Sequence, residues 1–154
     1  MLCSVEFSLP FLPAKANIPP LTIPLAKEHI AAGFPSPADD YIDIGIDLNE
    51  HLIQHPASTF FLHVSGNSMS EAGIQNGDLL IVDRSINPRP GHVVVARLDG
   101  SFTLKRLVLK QNRLQLKAEN PSYPSLDLLN YQDVQIWGVA IYSIHNLRRK
   151  SPLR

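Results

Sequence analysis

Between residues 41 and 48 the chain alternates with period two. Ile42, Ile44, Ile46 and Leu48 are separated by Asp43, Gly45 and Asp47. That alternation sends one set of side chains to each face and predicts a half-buried strand. Residues 49–54 predict a short helix, capped by Asp47 or Asn49 and stopped before Pro56. Further strands are predicted at 59–65, 78–83, 93–98 and 102–109. The last two are joined by Asp99-Gly100, a two-residue connection that favours a tight hairpin. In that hairpin Val94 lies opposite Lys105. Strands at 113–118 and 133–144, the latter containing Trp137, complete a mostly β pattern with close turns and little helix.

The N-terminal stretch reads differently. Pro10, Pro13, Pro19, Pro20 and Pro24 break every candidate helix, and Pro35 and Pro37 follow Gly33. This predicts an extended, mobile arm. Such an arm has no room for the angled helices of a helix-turn-helix DNA reader. Glu6 and the prolines also exclude a signal peptide, which needs a basic start and an unbroken apolar run. No stretch of 18 apolar residues exists to span a membrane. Cys3 has no partner for an internal disulfide, which points to a reducing cytoplasm.

Charge refines the picture. The net charge is zero, but residues 1–83 hold two bases against ten acids, and residues 84–154 hold twelve bases against four acids. Zero net charge excludes a wholesale polycation, while such asymmetry is able to mark partner faces. The basic end, Arg148, Arg149, Lys150 and Arg154, reads as solvated chain. His51 and His55, four apart on the short helix, read as a solvated face rather than a metal site, for want of a third ligand. Trp137 and Tyr142 fit packing better than base stacking.

Two residues carry candidate chemistry. Ser68 lies in Ser65-Gly66-Asn67-Ser68-Met69-Ser70, a turn between a strand and a short helical segment. Gly66 and Asn67 permit unusual backbone angles. The turn either presents the Ser68 hydroxyl beside free backbone N–H groups, or uses Ser68 as a helix cap. No histidine completes a triad and no Gly-x-Ser-x-Gly elbow is present. A lysine held neutral by burial is an alternative base. Lys105 sits in the most apolar strand, sharing its face with Thr103, Leu107 and Leu109. It is either buried or snorkels to water, and periodicity does not decide between the two.

Ser65-Gly66-Asn67-Ser68-Met69, Gly73-Ile74, Asn76-Gly77-Asp78-Leu79-Leu80, and Lys105 after Phe102-Thr103-Leu104 together resemble the self-cleaving LexA/UmuD family, as does the Ser68-to-Lys105 spacing of 37. Gly33-Phe34-Pro35-Ser36-Pro37-Ala38-Asp39-Asp40-Tyr41, Ile46-Asp47-Leu48-Asn49 and Leu52-Ile53-Gln54-His55-Pro56 resemble the UmuD branch. The resemblance covers about residues 32–145. It implies a LexA-like catalytic domain of strongly bent antiparallel sheets over 33–154, preceded by an arm, 1–32, that is removed by self-cleavage. Ser68 would attack the Ala32–Gly33 bond and Lys105 would act as base. The N–H groups of Asn67, Ser68 and Met69 would hold the oxyanion. No cofactor or metal is implied. The implied partners are a second copy, a RecA-type recombinase filament on single-stranded DNA and a Y-family translesion polymerase, with a cytoplasmic location and no membrane. Without a DNA-reading domain, a LexA- or phage-type repressor is the weaker alternative. A non-catalytic module of the same fold is another.

Overall fold

The computed structural model describes residues 5–6, 20–26, 32–33 and 42–148. The sequence readings at Cys3, Pro35, Pro37, Arg149, Lys150 and Arg154, and most of the proline-rich arm, lie outside these residues. In chain order the strands are β1 (Val5–Glu6), β2 (Thr22–Ala26), β3 (Ile42–Asp47), β4 (Thr59–Val64), β5 (Leu79–Asp83), β6 (Val93–Leu98), β7 (Ser101–Lys110), β8 (Arg113–Lys117), β9 (Leu126–Asp127) and β10 (Val134–Ile144). A single α-helix, α1 (Leu48–Leu52), is found among the described residues. The chain divides into two compact units, one within residues 15–56 and the other holding β1 and everything from residue 57 onward.

The smaller unit pairs β2 with β3 antiparallel. Thus the segment expected to be an arm contains two extended pieces, β1 and β2, each hydrogen-bonded into a ladder. Pro24 sits where the register slips, between the pairs Ile23–Ile46 and Leu25–Asp43. A residue with no N–H is tolerated at such an irregularity and not inside a regular ladder. Asp47 caps α1, its side chain accepting from the Asn49 N–H at 2.8 Å. The helix starts one residue earlier than expected and stops at Leu52, where Ile53 turns extended. It buries no residue, so no packed face prolongs it. His55 therefore lies beyond the helix, so the two histidines do not share a helical face, and both are exposed.

The larger unit is an eight-stranded sheet in the order β1-β4-β5-β10-β6-β7-β8-β9, antiparallel throughout. The β6–β7 hairpin turns on Asp99 (φ 46°) and Gly100 (φ 88°), the two left-handed residues that match the twist of paired strands. Its register places Leu98 opposite Ser101 and Val94 opposite Lys105, as the Asp-Gly spacing predicts.

Two apolar clusters cover opposite faces of β6. Val95 packs with Leu62, Val64, Met69, Ile74, Leu80, Val82 and Leu104. Val94, Ala96 and Leu98 pack with Leu107, Leu116 and Val139. Each fully buried Leu or Val contributes about 1.5–3 kcal/mol relative to exposure. Coverage on both faces explains the unbroken apolar run Val93-Val94-Val95-Ala96.

β10 joins the two halves of the sheet. Its first part pairs with β6 and its second with β5, with register slips between Ile136 and Gly138 and between Ala140 and Tyr142. At Gly138 a Cβ would lie 2.6 Å from Val82 Cγ1. Only glycine lets the strands cross this closely.

Candidate active site

The loop after β4 is pinned at both ends. The Val64 N–H donates to the Asp78 carbonyl at 2.9 Å, and the Gly77 N–H donates to the Val64 carbonyl at 2.7 Å. Gly66, at φ 94°, reverses the chain, and its N–H donates to Asn76 Oδ1 at 2.8 Å. Met69, 1% exposed, plugs the turn into the apolar cluster. A single 3₁₀ turn, Ser70–Ala72, follows and ends on Gly73. The residue at its N-cap is Met69, with no side-chain cap. The helix-cap alternative for Ser68 is thereby excluded.

Ser68 is instead buried against Lys105. Lys105 is 1% exposed and Ser68 0%, and Lys105 Nζ lies 2.9 Å from Ser68 Oγ. The amine also donates to Thr103 Oγ1 and to the Leu104 carbonyl, each at 3.0 Å. Snorkelling is excluded: β7 lies between β6 and β8, and its buried face leaves the side chain no path to water. These three hydrogen-bonding oxygens are neutral, and Val94, opposite Lys105, and Leu107 lie nearby in the sheet. Burial of this kind disfavours the ammonium form.

Among the described residues, the N–H groups of Asn67, Ser68 and Met69 donate to no acceptor, although the following Ser70 N–H donates to the Asn67 carbonyl at 3.2 Å. All three belong to the same turn as the buried Ser68 hydroxyl. Ala32 and Gly33 form an exposed bend between β2 and β3, in the smaller unit.

Several contributors escape sequence reading. Thr103 was visible only as a same-face neighbour of Lys105. Asn120 Nδ2 donates to the Asn67 carbonyl at 2.9 Å across 53 residues, and its signal is no more than the turn-forming Asn120-Pro121-Ser122. Asp78, 2% exposed, accepts from the Gln75 N–H at 2.8 Å and the Ser143 hydroxyl at 2.9 Å, and meets His145 Nδ1 at 2.6 Å. Desolvation alone would raise its pKa, but these hydrogen bonds and the charge of His145 together hold it below its ordinary value.

Trp137 packs against Phe60 and Phe102, with ring centroids 5.3 and 6.4 Å away, and the Arg84 guanidinium lies 4.7 Å over it. It fills the edge of a core cluster, in line with the packing role expected for it.

The structure thus brings a buried serine hydroxyl within hydrogen-bond distance of a buried lysine amine on a mostly β scaffold. Residues 24–141 match the model of the peptidase S24-like family. The chain is 45% identical to protein ImpA of Salmonella typhimurium over 126 residues, covering 81% of this chain and 85% of ImpA. It is 46% identical to protein SamA of Salmonella typhimurium strain LT2 over 127 residues, covering 82% and 88%. To the LexA repressor of Photorhabdus laumondii it is 37% identical over 119 residues, covering 77% of this chain but 59% of the repressor. The chain belongs to the peptidase S24-like family, in general terms one of self-cleaving serine peptidases. Within it, the chain falls with the UmuD-like SOS mutagenesis proteins, which account for it better than the repressors do. No helix among the described residues is long and apolar enough to cross a membrane.

Proposed function

We propose that the chain cleaves its own Ala32–Gly33 bond, with Ser68 as nucleophile and Lys105 as general base. The observation that carries this reading is the 2.9 Å contact between Lys105 Nζ and Ser68 Oγ at full burial. In the neutral amine, N–H bonds point to Thr103 Oγ1 and the Leu104 carbonyl, and the lone pair receives the Ser68 proton. Ser68 Oγ bonds to the Ala32 carbonyl carbon, and the resulting oxyanion is held by the N–H groups of Asn67, Ser68 and Met69. The bond to the Gly33 nitrogen then breaks, with Lys105 returning its proton to the leaving amine. Water hydrolyses the Ala32 ester and regenerates Ser68. The small side chains of Ala32 and Gly33 let an extended segment press its carbonyl onto the serine without a clash.

The product is the 33–154 domain freed of the 1–32 arm. In keeping with the SOS mutagenesis relatives, it acts in the cytoplasm as a dimer that serves a Y-family translesion polymerase, and a RecA-type filament on single-stranded DNA stimulates its formation. The purified chain, incubated with recombinase, ATP and single-stranded DNA, should convert to a fragment whose N-terminal sequence starts at Gly33. Conversion should quicken at alkaline pH, where more Lys105 is neutral. Ser68→Ala and Lys105→Ala should each slow it by at least about 1,000-fold. Persistent cleavage in Ser68→Ala would overturn the reading.

A further inference from the structure

Ser68 and Lys105 come from distant stretches of chain, and a third stretch ties them together. Asn120 lies beyond β8. Its Nδ2 donates to the Asn67 carbonyl at 2.9 Å and reaches Ser70 Oγ at 3.4 Å. The Ser122 N–H donates to Asn120 Oδ1 at 2.9 Å, which fixes the end of the amide that faces the serine turn. One residue earlier, the Glu119 carbonyl accepts from the Glu71 N–H at 2.8 Å. The Glu119 carboxylate pairs with Arg106, whose guanidinium also donates to the Gly91 carbonyl at 2.6 Å. Arg106 follows Lys105 in β7, so their side chains leave the strand on opposite faces.

The Asn67 carbonyl and the Ser68 N–H belong to one planar peptide unit and point in opposite directions. Anchoring the oxygen therefore sets the direction of the N–H. We propose that Asn120 is a positioning residue for Ser68. Its amide aims the Ser68 N–H, and the Arg106–Glu119 pair holds Asn120 at a fixed distance from the strand that carries Lys105. This inference rests on the self-cleaving reading above.

The test uses the full chain as wild type, Asn120→Asp and Asn120→Ala. Two rates are measured at alkaline pH: conversion to the Gly33 fragment, and labelling of Ser68 by a fluorophosphonate probe, which does not require the Ala32–Gly33 bond to reach the serine. Asn120→Asp keeps the acceptor for the Ser122 N–H and loses the donors to the turn. Both variants should be about 10- to 100-fold slower in both assays. In Asn120→Ala the alkaline plateau should fall while the midpoint of the pH profile stays in place, because Lys105 is untouched. Wild-type rates in Asn120→Asp would overturn the proposal and leave Asn120 as a shaper of its own loop. As a check independent of folding at position 120, Glu119→Gln should slow both rates by about 3-fold, and no slowing there would also count against the tie. A wild-type chain that neither converts nor labels would instead remove the self-cleaving reading, and this inference with it.

Discussion

Asp78 and Lys105 are each no more than 2% exposed, and both lie close to the serine turn, but their surroundings treat charge in opposite ways. Asp78 is met by two neutral donors and a histidine, a setting that favours the carboxylate. Lys105 meets two hydroxyls and a carbonyl oxygen, neutral acceptors in place of the charged partner that Asp78 has. The first is a buried charge that stabilises the fold. The second is a buried ionisable group from which the fold gains little, and the proposed self-cleavage gives it a use.

The comparison predicts a double dissociation. Lys105→Met should abolish self-cleavage, because no lone pair remains to take the Ser68 proton. It should move the unfolding free energy by no more than about 1 kcal/mol, since Met fills the same space and relief of amine desolvation opposes the lost hydrogen bonds. Chemical denaturation alongside the cleavage assay checks both halves. Asp78→Asn should do the reverse, retaining cleavage while losing about 2 kcal/mol of stability, because buried donors lose a charged acceptor.

Acid should expose the same contrast. The folded pKa of Asp78 lies below its ordinary value of 3.8, so the unfolded chain takes up the proton first. The stability it contributes is complete above the unfolded pKa and is lost as pH falls through the folded one. Wild type should thus destabilise more steeply below about pH 4 than Asp78→Asn, as read by denaturation midpoints across that range. The smallest effect is expected for His145→Ala. The His145 side chain is 47% exposed, so solvent screens its pairing with Asp78. A loss of about 0.5 kcal/mol, shrinking with added salt, is expected from thermal unfolding.

The hairpin register is legible because Asp99-Gly100 fixes it locally, and Ser68 and Lys105 stand out as candidates by residue type and resemblance. The depth of Lys105 is not legible. Period two assigns a face, but whether that face is covered depends on distant chain, here the serine turn whose Ser68 meets Lys105 from 37 residues away. Asn120 was hidden for a related reason, since a turn-forming Asn looks the same whether it braces its own loop or another 53 residues away. The pairing of β2 was masked by Pro24, which reads as a breaker and here occupies a register slip. α1 came out short because its polar surface gives no packed face to extend it.

The place of β10 in the sheet has a consequence for the order of events in synthesis. Ser68 follows β4, which is joined to β5, and Lys105 belongs to β7, which is joined to β6. In the hydrogen-bonded ladder the two groups are joined by β10, the last strand among the described residues. Until residues 134–144 are made, no backbone ladder joins the strands next to Ser68 to the strand that carries Lys105. Gly138 gives that last strand room to lie against Val82. On the self-cleaving reading, the arm and its Ala32–Gly33 bond are made well before the strand that completes this ladder.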